Sequence, residues 1–288
     1  MSLGDTVRAI VVVLLFGMNF PINKLGLEQL QPLTFLVLRF TIVAVLLAPW
    51  ARLPRKYWRE VAILSVVLGF AHFTVIIYGL HYVDASVAAI AIQIQVPFAA
   101  LLAAIFFGDR LGWRRALGMV IAITGVVILV GEPTGRSPAW AVGLIVVGAG
   151  LWATSNIIMK RLSTVDPFAL NGWMAVMAVP QLAIACLLLE EGQWAAITTA
   201  SLLTWSTVIY NSVVIVIIGY TAWYGLLRRY SINLVVPWTL LLPLFGVGSS
   251  MIIRDEPLTW HLAIGGIATM IGVTIIMIRR PKLERPLP

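Results

Sequence analysis

The chain contains ten long stretches of almost unbroken apolar sequence, at about 7–24, 33–50, 61–80, 86–107, 113–130, 139–159, 168–189, 204–226, 232–253 and 260–278. A helix needs roughly 20 mainly apolar residues to cross a bilayer core about 30 Å thick, and each stretch approaches that length. Ten spans leave only short connections in 288 residues, so no sizeable water-soluble domain is expected. The longest connection, from Glu190 to Leu203, is expected to lie along the membrane surface. Runs such as Leu144-Ile145-Val146-Val147 and Ile215-Val216-Ile217-Ile218 are apolar on every face. They lack the alternation of a β-barrel strand, so an all-α polytopic membrane protein is the expected fold class.

Composition agrees. AVILMFWYC residues make up 60% of the chain and charged residues 11%, against roughly 45–50% and about 25% in a soluble domain. An ordinary soluble enzyme is excluded, because a core of this size cannot hide that much apolar surface. The first apolar run is read as a span and not a cleaved leader, since its basic flank is thin and no A-x-A site follows. The single cysteine, Cys186, excludes an intramolecular disulfide and argues against structural zinc.

The net charge of +8 is read as membrane topology and not as affinity for nucleic acid. With ten spans both termini share a side. That side collects Arg8, Arg52, Arg55, Lys56, Arg59, Arg110, Arg114, Arg115, Lys160, Arg161, Arg228, Arg229, Arg279, Arg280, Lys282 and Arg285. The other side has Lys24, Arg136 and Arg254, and Arg39 lies inside span two. Both termini are therefore expected in the cytoplasm.

The chain also repeats itself. Residues 108–126, GDRLGWRRALGMVIAITGV, match 255–273, DEPLTWHLAIGGIATMIGV, at an offset of 147 through Leu111/Leu258, Trp113/Trp260, Ala116/Ala263, Gly118/Gly265, Gly125/Gly272 and Val126/Val273. At 146, Tyr78-Gly79-Leu80 meets Tyr224-Gly225-Leu226 and Pro97 meets Pro243; at 136, Phe16 meets Trp152 and Lys24 meets Lys160. The expected organisation is five spans (residues 1–135) followed by five more (136–288). Five is odd, so the second unit enters the membrane from the opposite side. Two inverted five-helix repeats around a central cavity are a secondary-transporter arrangement, with the site near the midplane.

Phe16-Gly17-Met18-Asn19-Phe20…Lys24, Leu38-Arg39-Phe40 and the two acid-Leu-Trp…Gly…Gly-Val segments resemble the drug/metabolite transporter superfamily, specifically its ten-helix EamA family. The resemblance covers nearly the whole chain. It is nearest to bacterial inner-membrane exporters of amino acids and related metabolites, of the aromatic amino-acid or cysteine-metabolite type. It implies helices one to four and six to nine around the cavity, with five and ten outside. The chain departs from the family at Phe16, where Trp is frequent, and at Asp109, where Glu is usual.

Polar groups inside a bilayer face protein or water, and they define the candidate substrate contacts. These are Asn19 and Asn23 on one face with Phe16; Arg39; His72 and Tyr78 in span three; Gln93 in span four; Trp152 and Asn156 in span six; Trp173 in span seven; Tyr220, Trp223 and Tyr224 in span eight; and Trp238 in span nine. Gln93 and Gln95 point about 200° apart, so only one faces inward. Each amide has interhelical glue as its plain alternative. Tyr82, Trp50, Trp140, Trp205 and Trp260 are assigned to the interfacial belts. Arg39 has two readings, snorkelling outward or binding a substrate carboxylate. Pro97 and Pro243, with Pro21 and Pro237, are candidate hinges, because proline removes a helix hydrogen bond. The pairs Gly118/Gly125 and Gly265/Gly272 mark close packing of spans five and ten.

All twelve carboxylates fall at span ends or in loops. Without a midplane acid, proton antiport of cations is disfavoured, and His72 is the alternative proton site. The expected function is export of amino acids and small neutral or zwitterionic metabolites by alternating access, as a facilitator. A proton-coupled drug or metabolite efflux carrier is the alternative, and an intramembrane enzyme the alternative from another class. No nucleophile–base or metal-ligand motif is visible, so no catalytic residue, metal or cofactor is expected. The expected partners are the solute and membrane lipid.

Overall fold

The computed structural model describes residues 1–107, 112–131, 137–162, 164–230 and 232–278. The described residues are helical, with no strand among them. The helices are α1 (Leu3–Gly26), α2 (Pro32–Leu47), α3 (Arg55–Tyr82), α4 (Ala85–Phe106), α5 (Trp113–Val130), α6 (Ala139–Arg161) and α7 (Pro167–Leu189). Next come α8, built from Leu202–Ile209, Tyr210–Gly219 and Tyr220–Arg229; α9, built from Ile232–Val235, Val236–Leu241 and Leu242–Arg254; and α10 (Trp260–Ile278). Nine helices among the described residues are long and apolar enough to cross a membrane. The exception is α9, where the expected continuous span is three pieces. Pro237 and Pro243 each stand near the start of a new piece, where the missing N–H costs nothing. The connection after α7 carries a short helix, Gln193–Thr199, with Trp194 exposed.

Chain direction places the termini of α1 and α10 on one side, here the terminal side; the opposite side is the far side. Leu187, Leu188 and Leu189 at the end of α7 are exposed, as are Val45 on α2 and Ile105 on α4. Lipid covers such a surface; water would not.

Equivalent helices of the two halves pack antiparallel. Along α5 and α10, a Cβ at Gly118 would touch Gly272 O and Ile276, and one at Gly125 would touch Gly265 O and Thr269. The numbering rises on one helix as it falls on the other. The same reversal relates α2 to α7, where Thr34 meets Cys186 and Leu47 meets Gly172. It also relates α4 to α9, where Ala85 meets Glu256 and Ala89 meets Gly246. Helix α1 packs on α9 and α8, as α6 packs on α4 and α3.

Irregular backbone repeats too. Helix α3 is π-helical over Ser65–His72 and α8 over Tyr210–Gly219. Helix α4 tightens to a 3₁₀ turn at Ile92–Ile94 just before Pro97, as α9 does at Val236–Leu241 just before Pro243. In contrast, Pro21 sits inside an unbroken α1.

Two helix starts are capped by carboxylates from the other half. Glu190, at the end of α7, accepts from the Leu33 and Thr34 N–H groups of α2 at 2.7 and 2.8 Å and from Thr34 Oγ1 at 2.9 Å. Glu256 accepts from the Ala85 and Ser86 N–H groups of α4 at 2.8 and 2.9 Å. Asp255, left-handed at φ 51°, ends α9 and turns the chain so that Glu256 follows directly. First-turn N–H groups have no partner within their own helix, and these carboxylates supply one.

Candidate functional site

At mid-depth, residues of both halves form two groups of ring contacts. Helix α2 contributes Arg39 and Phe40, α3 His72 and Phe73, α6 Trp152, α8 Tyr220 and Trp223, and α1 Phe16. Ring centroids of Phe40 and Phe73 are 5.3 Å apart, those of Phe73 and His72 4.9 Å, and those of His72 and Trp152 5.3 Å. On the other flank Phe16 meets Tyr220 edge-on at 5.6 Å and Trp223 at 6.4 Å. The π segment of α3 ends at His72, and that of α8 ends at Gly219, against which Phe16 lies. Such segments recur at functional sites because they re-aim side chains.

Arg39 is only 2% exposed, which overturns the snorkelling alternative: two turns from the helix end, its guanidinium turns inward. It lies over the Phe73 ring at 4.5 Å and the Phe40 ring at 5.5 Å. Among the described residues no ion pair reaches the guanidinium, and Nε is buried without a hydrogen-bond partner. Tyr220 and His72 are close enough to interact with it electrostatically. The His72 Nδ1–H donates to Gly148 O at 2.8 Å, which leaves Nε2 as the ring nitrogen free for another partner. Asn19 Oδ1, Asn23 Oδ1, Thr74 Oγ1 and Asn211 Oδ1 are also buried without a hydrogen-bond partner.

A cavity of about 150 Å³ lies towards the terminal side between α2, α7 and α8, lined by Leu47, Asp166, Pro167, Phe168, Asn171, Val216, Tyr220, Thr221 and Gly225. Tyr220 thus belongs both to the cavity wall and to one of the ring groups. The far side is cross-linked by polar contacts. Lys24 Nζ donates to Val83 O, Arg254 pairs with Glu28, and Tyr78 OH donates to Glu190 Oε1 at 3.3 Å, beside the two carboxylate caps.

Other expected contacts lie elsewhere. Tyr78 faces Glu190 at the far side and not the midplane. Trp173 stacks on Trp58 at 5.9 Å and donates to Ala51 O at 2.9 Å, near the terminal side. Trp238 packs, with Trp223, on a small cluster of Ala9, Leu226 and Val235. Asn156 is exposed. Of the two glutamines, Gln93 is the buried one, and Gln95 reaches its Oε1 at 3.5 Å. The Tyr224 side chain, Asp109, Glu132 and Glu284 lie outside the described residues. Asn211 and Phe73 are central, and neither stood among the chosen contacts. Asn211 precedes the Tyr220, Trp223 and Tyr224 stripe of span eight by two turns; a lone Phe among apolar neighbours carries no signal.

Three comparisons bear on this arrangement. The model of the EamA-like transporter family matches residues 7–131 and again 139–278. A probable amino-acid metabolite efflux pump of Escherichia coli (strain K12) is 29% identical, over 96% of this chain and 95% of that protein. A probable terminal-alkyne amino-acid exporter of Streptantibioticus cattleyicolor is 28% identical over 56% of this chain and 58% of its own. A crystal structure at 17% identity superposes with a TM-score of 0.63, covering 96% of this chain and 97% of that one, so the fold is shared. An apolar bundle of antiparallel helices, a polar mid-depth cluster and a double family match over most of the sequence lead to one conclusion: the chain belongs to the EamA-like transporter family, and is a multi-pass membrane transporter rather than an enzyme.

Proposed function

We propose that this transporter exports amino acids and related small neutral or zwitterionic metabolites from the cytoplasm, as a facilitator driven by the gradient of its own substrate. Residues 1–135 and 136–288 are the two inverted units, and alternating access is the exchange of shapes between them. The protein sits in a bacterial inner membrane with both termini cytoplasmic, so the cavity at the terminal side is the loading vestibule. Asn19, Asn23, Arg39, His72, Gln93, Trp152, Tyr220 and Trp223 meet the solute, and Pro97 and Pro243, with Pro21 and Pro237, serve as hinges.

The observation that carries this reading is the mid-depth cluster of amides, rings and one cation, beside a cavity on one side and ties on the other. Aromatic faces suit apolar and aromatic side chains, and amides suit a zwitterion. The relatives named as amino-acid metabolite and amino-acid exporters support the same class. Among the described residues every carboxylate stands near a helix end or in a connection, with none at the depth of His72, so a proton-exchanging acid is missing where antiport would need it.

Counterflow in liposomes containing the purified protein tests this. Preloading with unlabelled amino acids is expected to drive uptake of labelled ones at a rate indifferent to a pH gradient. Trp152→Ala is expected to slow it roughly tenfold while the protein remains monodisperse, through loss of the ring contact. Absence of counterflow for all twenty amino acids contradicts the substrate class. Strong acceleration by a proton gradient, lost in His72→Gln, contradicts the facilitator.

A further inference from the structure

Arg39 is the buried group that the fold leaves unanswered. Its 2% exposure excludes bulk water. Two rings hold the guanidinium plane, Phe73 at 4.5 Å and Phe40 at 5.5 Å. Rings attract a cation, but they do not accept its five N–H donors. Keeping a desolvated cation without an anion is costly in a membrane interior.

No carboxylate among the described residues is placed to answer it. Glu190 and Glu256 are occupied as helix caps at the far side. Asp166 caps α7 at the terminal side, accepting from Phe168 N and Ala169 N at 3.0 and 3.1 Å. Asp5 is tied to Ser2, Tyr230 and Arg229 at the start of α1. His72, the titratable neighbour on α3, has its Nδ1 taken by Gly148 O. Tyr220, from α8, lines the cavity and lies within electrostatic reach of Arg39.

We propose that the Arg39 guanidinium is the receptor for the substrate's carboxylate, steadied by Phe73 and Phe40 and reached from the cavity past Tyr220. This rests on the transport reading above and adds its chemistry: the cargo is selected by a free carboxylate. A planar carboxylate matches the guanidinium fork with two parallel N–H···O bonds. The opposite end of the ligand has complementary groups. Asn211 Oδ1 is a buried acceptor without a partner, and its neighbour Ser212 donates to Arg39 O at 3.2 Å. Asn19 Oδ1, one turn from Phe16, is another. Carbonyl oxygens of this kind accept from an ammonium. Together the cluster selects an α-amino acid over its amide or its decarboxylated amine.

The test reads binding and transport separately. Detergent-solubilised full-length protein is heated with each of a series of amino acids, their primary carboxamides and their decarboxylated amines, and the same compounds compete for counterflow in liposomes. In the wild type the free acid is expected to stabilise and compete about tenfold better than its amide. In Arg39→Gln that preference collapses to about parity. Phe73→Leu keeps the charge and loosens its support; it is expected to weaken the acid several-fold and leave the amide unchanged. Arg39→Gln retaining the wild-type preference overturns the assignment, as does an equal effect of Phe73→Leu on acid and amide. If Arg39→Gln does not fold, Phe73→Leu alone decides. Failure of every free acid to stabilise the wild type also overturns it. Acid-selective binding without counterflow overturns the transport reading alone.

Discussion

Gly272→Leu will leave little folded protein. A Cβ at Gly272 would stand 2.5 Å from Gly118 O and closer still to Ala122 N, both backbone atoms of α5 that no side-chain rotation can move. Its partners are equally confined: a Cβ at Gly265 would lie 2.7 Å from Gly125 O. The two helices touch backbone to backbone along this stripe, and small residues are what allow it. A leucine forces α5 and α10 apart along the stripe, at a cost above the roughly 1–3 kcal/mol of ordinary overpacking. The monodisperse peak in size-exclusion chromatography of a detergent extract is expected to fall at least about tenfold, since each 1.4 kcal/mol is a factor of ten. Gly143→Leu on α6 is the control, because nothing lies within 4 Å of a Cβ there; it should change stability by no more than about 0.5 kcal/mol. Near-wild-type yield from Gly272→Leu would mean that this contact is dispensable.

Glu190→Ala is expected to cost roughly 3–5 kcal/mol, the range for leaving buried partners of a charged group unanswered. The carboxylate satisfies the Leu33 and Thr34 N–H groups and the Thr34 hydroxyl, while Tyr78 donates to it at a longer 3.3 Å. Alanine orphans the first turn of α2 and unties α7 from it. Glu190→Gln keeps one acceptor oxygen and should lose about half as much. Thermal unfolding of the solubilised variants orders them wild type, Gln, Ala. If alanine unfolds with the wild type, water replaces the carboxylate and the cap carries no weight.

The helices were legible because burial in lipid needs no periodicity: a run such as Ile215-Val216-Ile217-Ile218 announces itself. The α5–α10 seam was legible because glycines seven apart share a face. Spacing could also put Asn19, Asn23 and Phe16 on one face of span one and Arg39 about two turns into span two. It could not say that Arg39 turns inward, since a long side chain two turns from a helix end reaches either way. Nor could it assign partners across the fold. Tyr78 and Trp173 looked like cavity residues by type, yet Glu190 is 112 residues from the first and Ala51 is 122 from the second. The π segments escaped because tertiary contacts set them, with no residue pattern of their own; in α9, Pro237 and Pro243 were legible as candidate bends, but not the 3₁₀ piece between them.

The central claim is that the mid-depth cluster meets each side of the membrane in turn. It is tested by a single cysteine, Asn19→Cys, in a Cys186→Ser background, labelled with a membrane-impermeant maleimide in vesicles of either orientation. The account predicts slow labelling from both faces, suppressed from both by a transported amino acid. Labelling from one face only, or labelling indifferent to the amino acid, would contradict it.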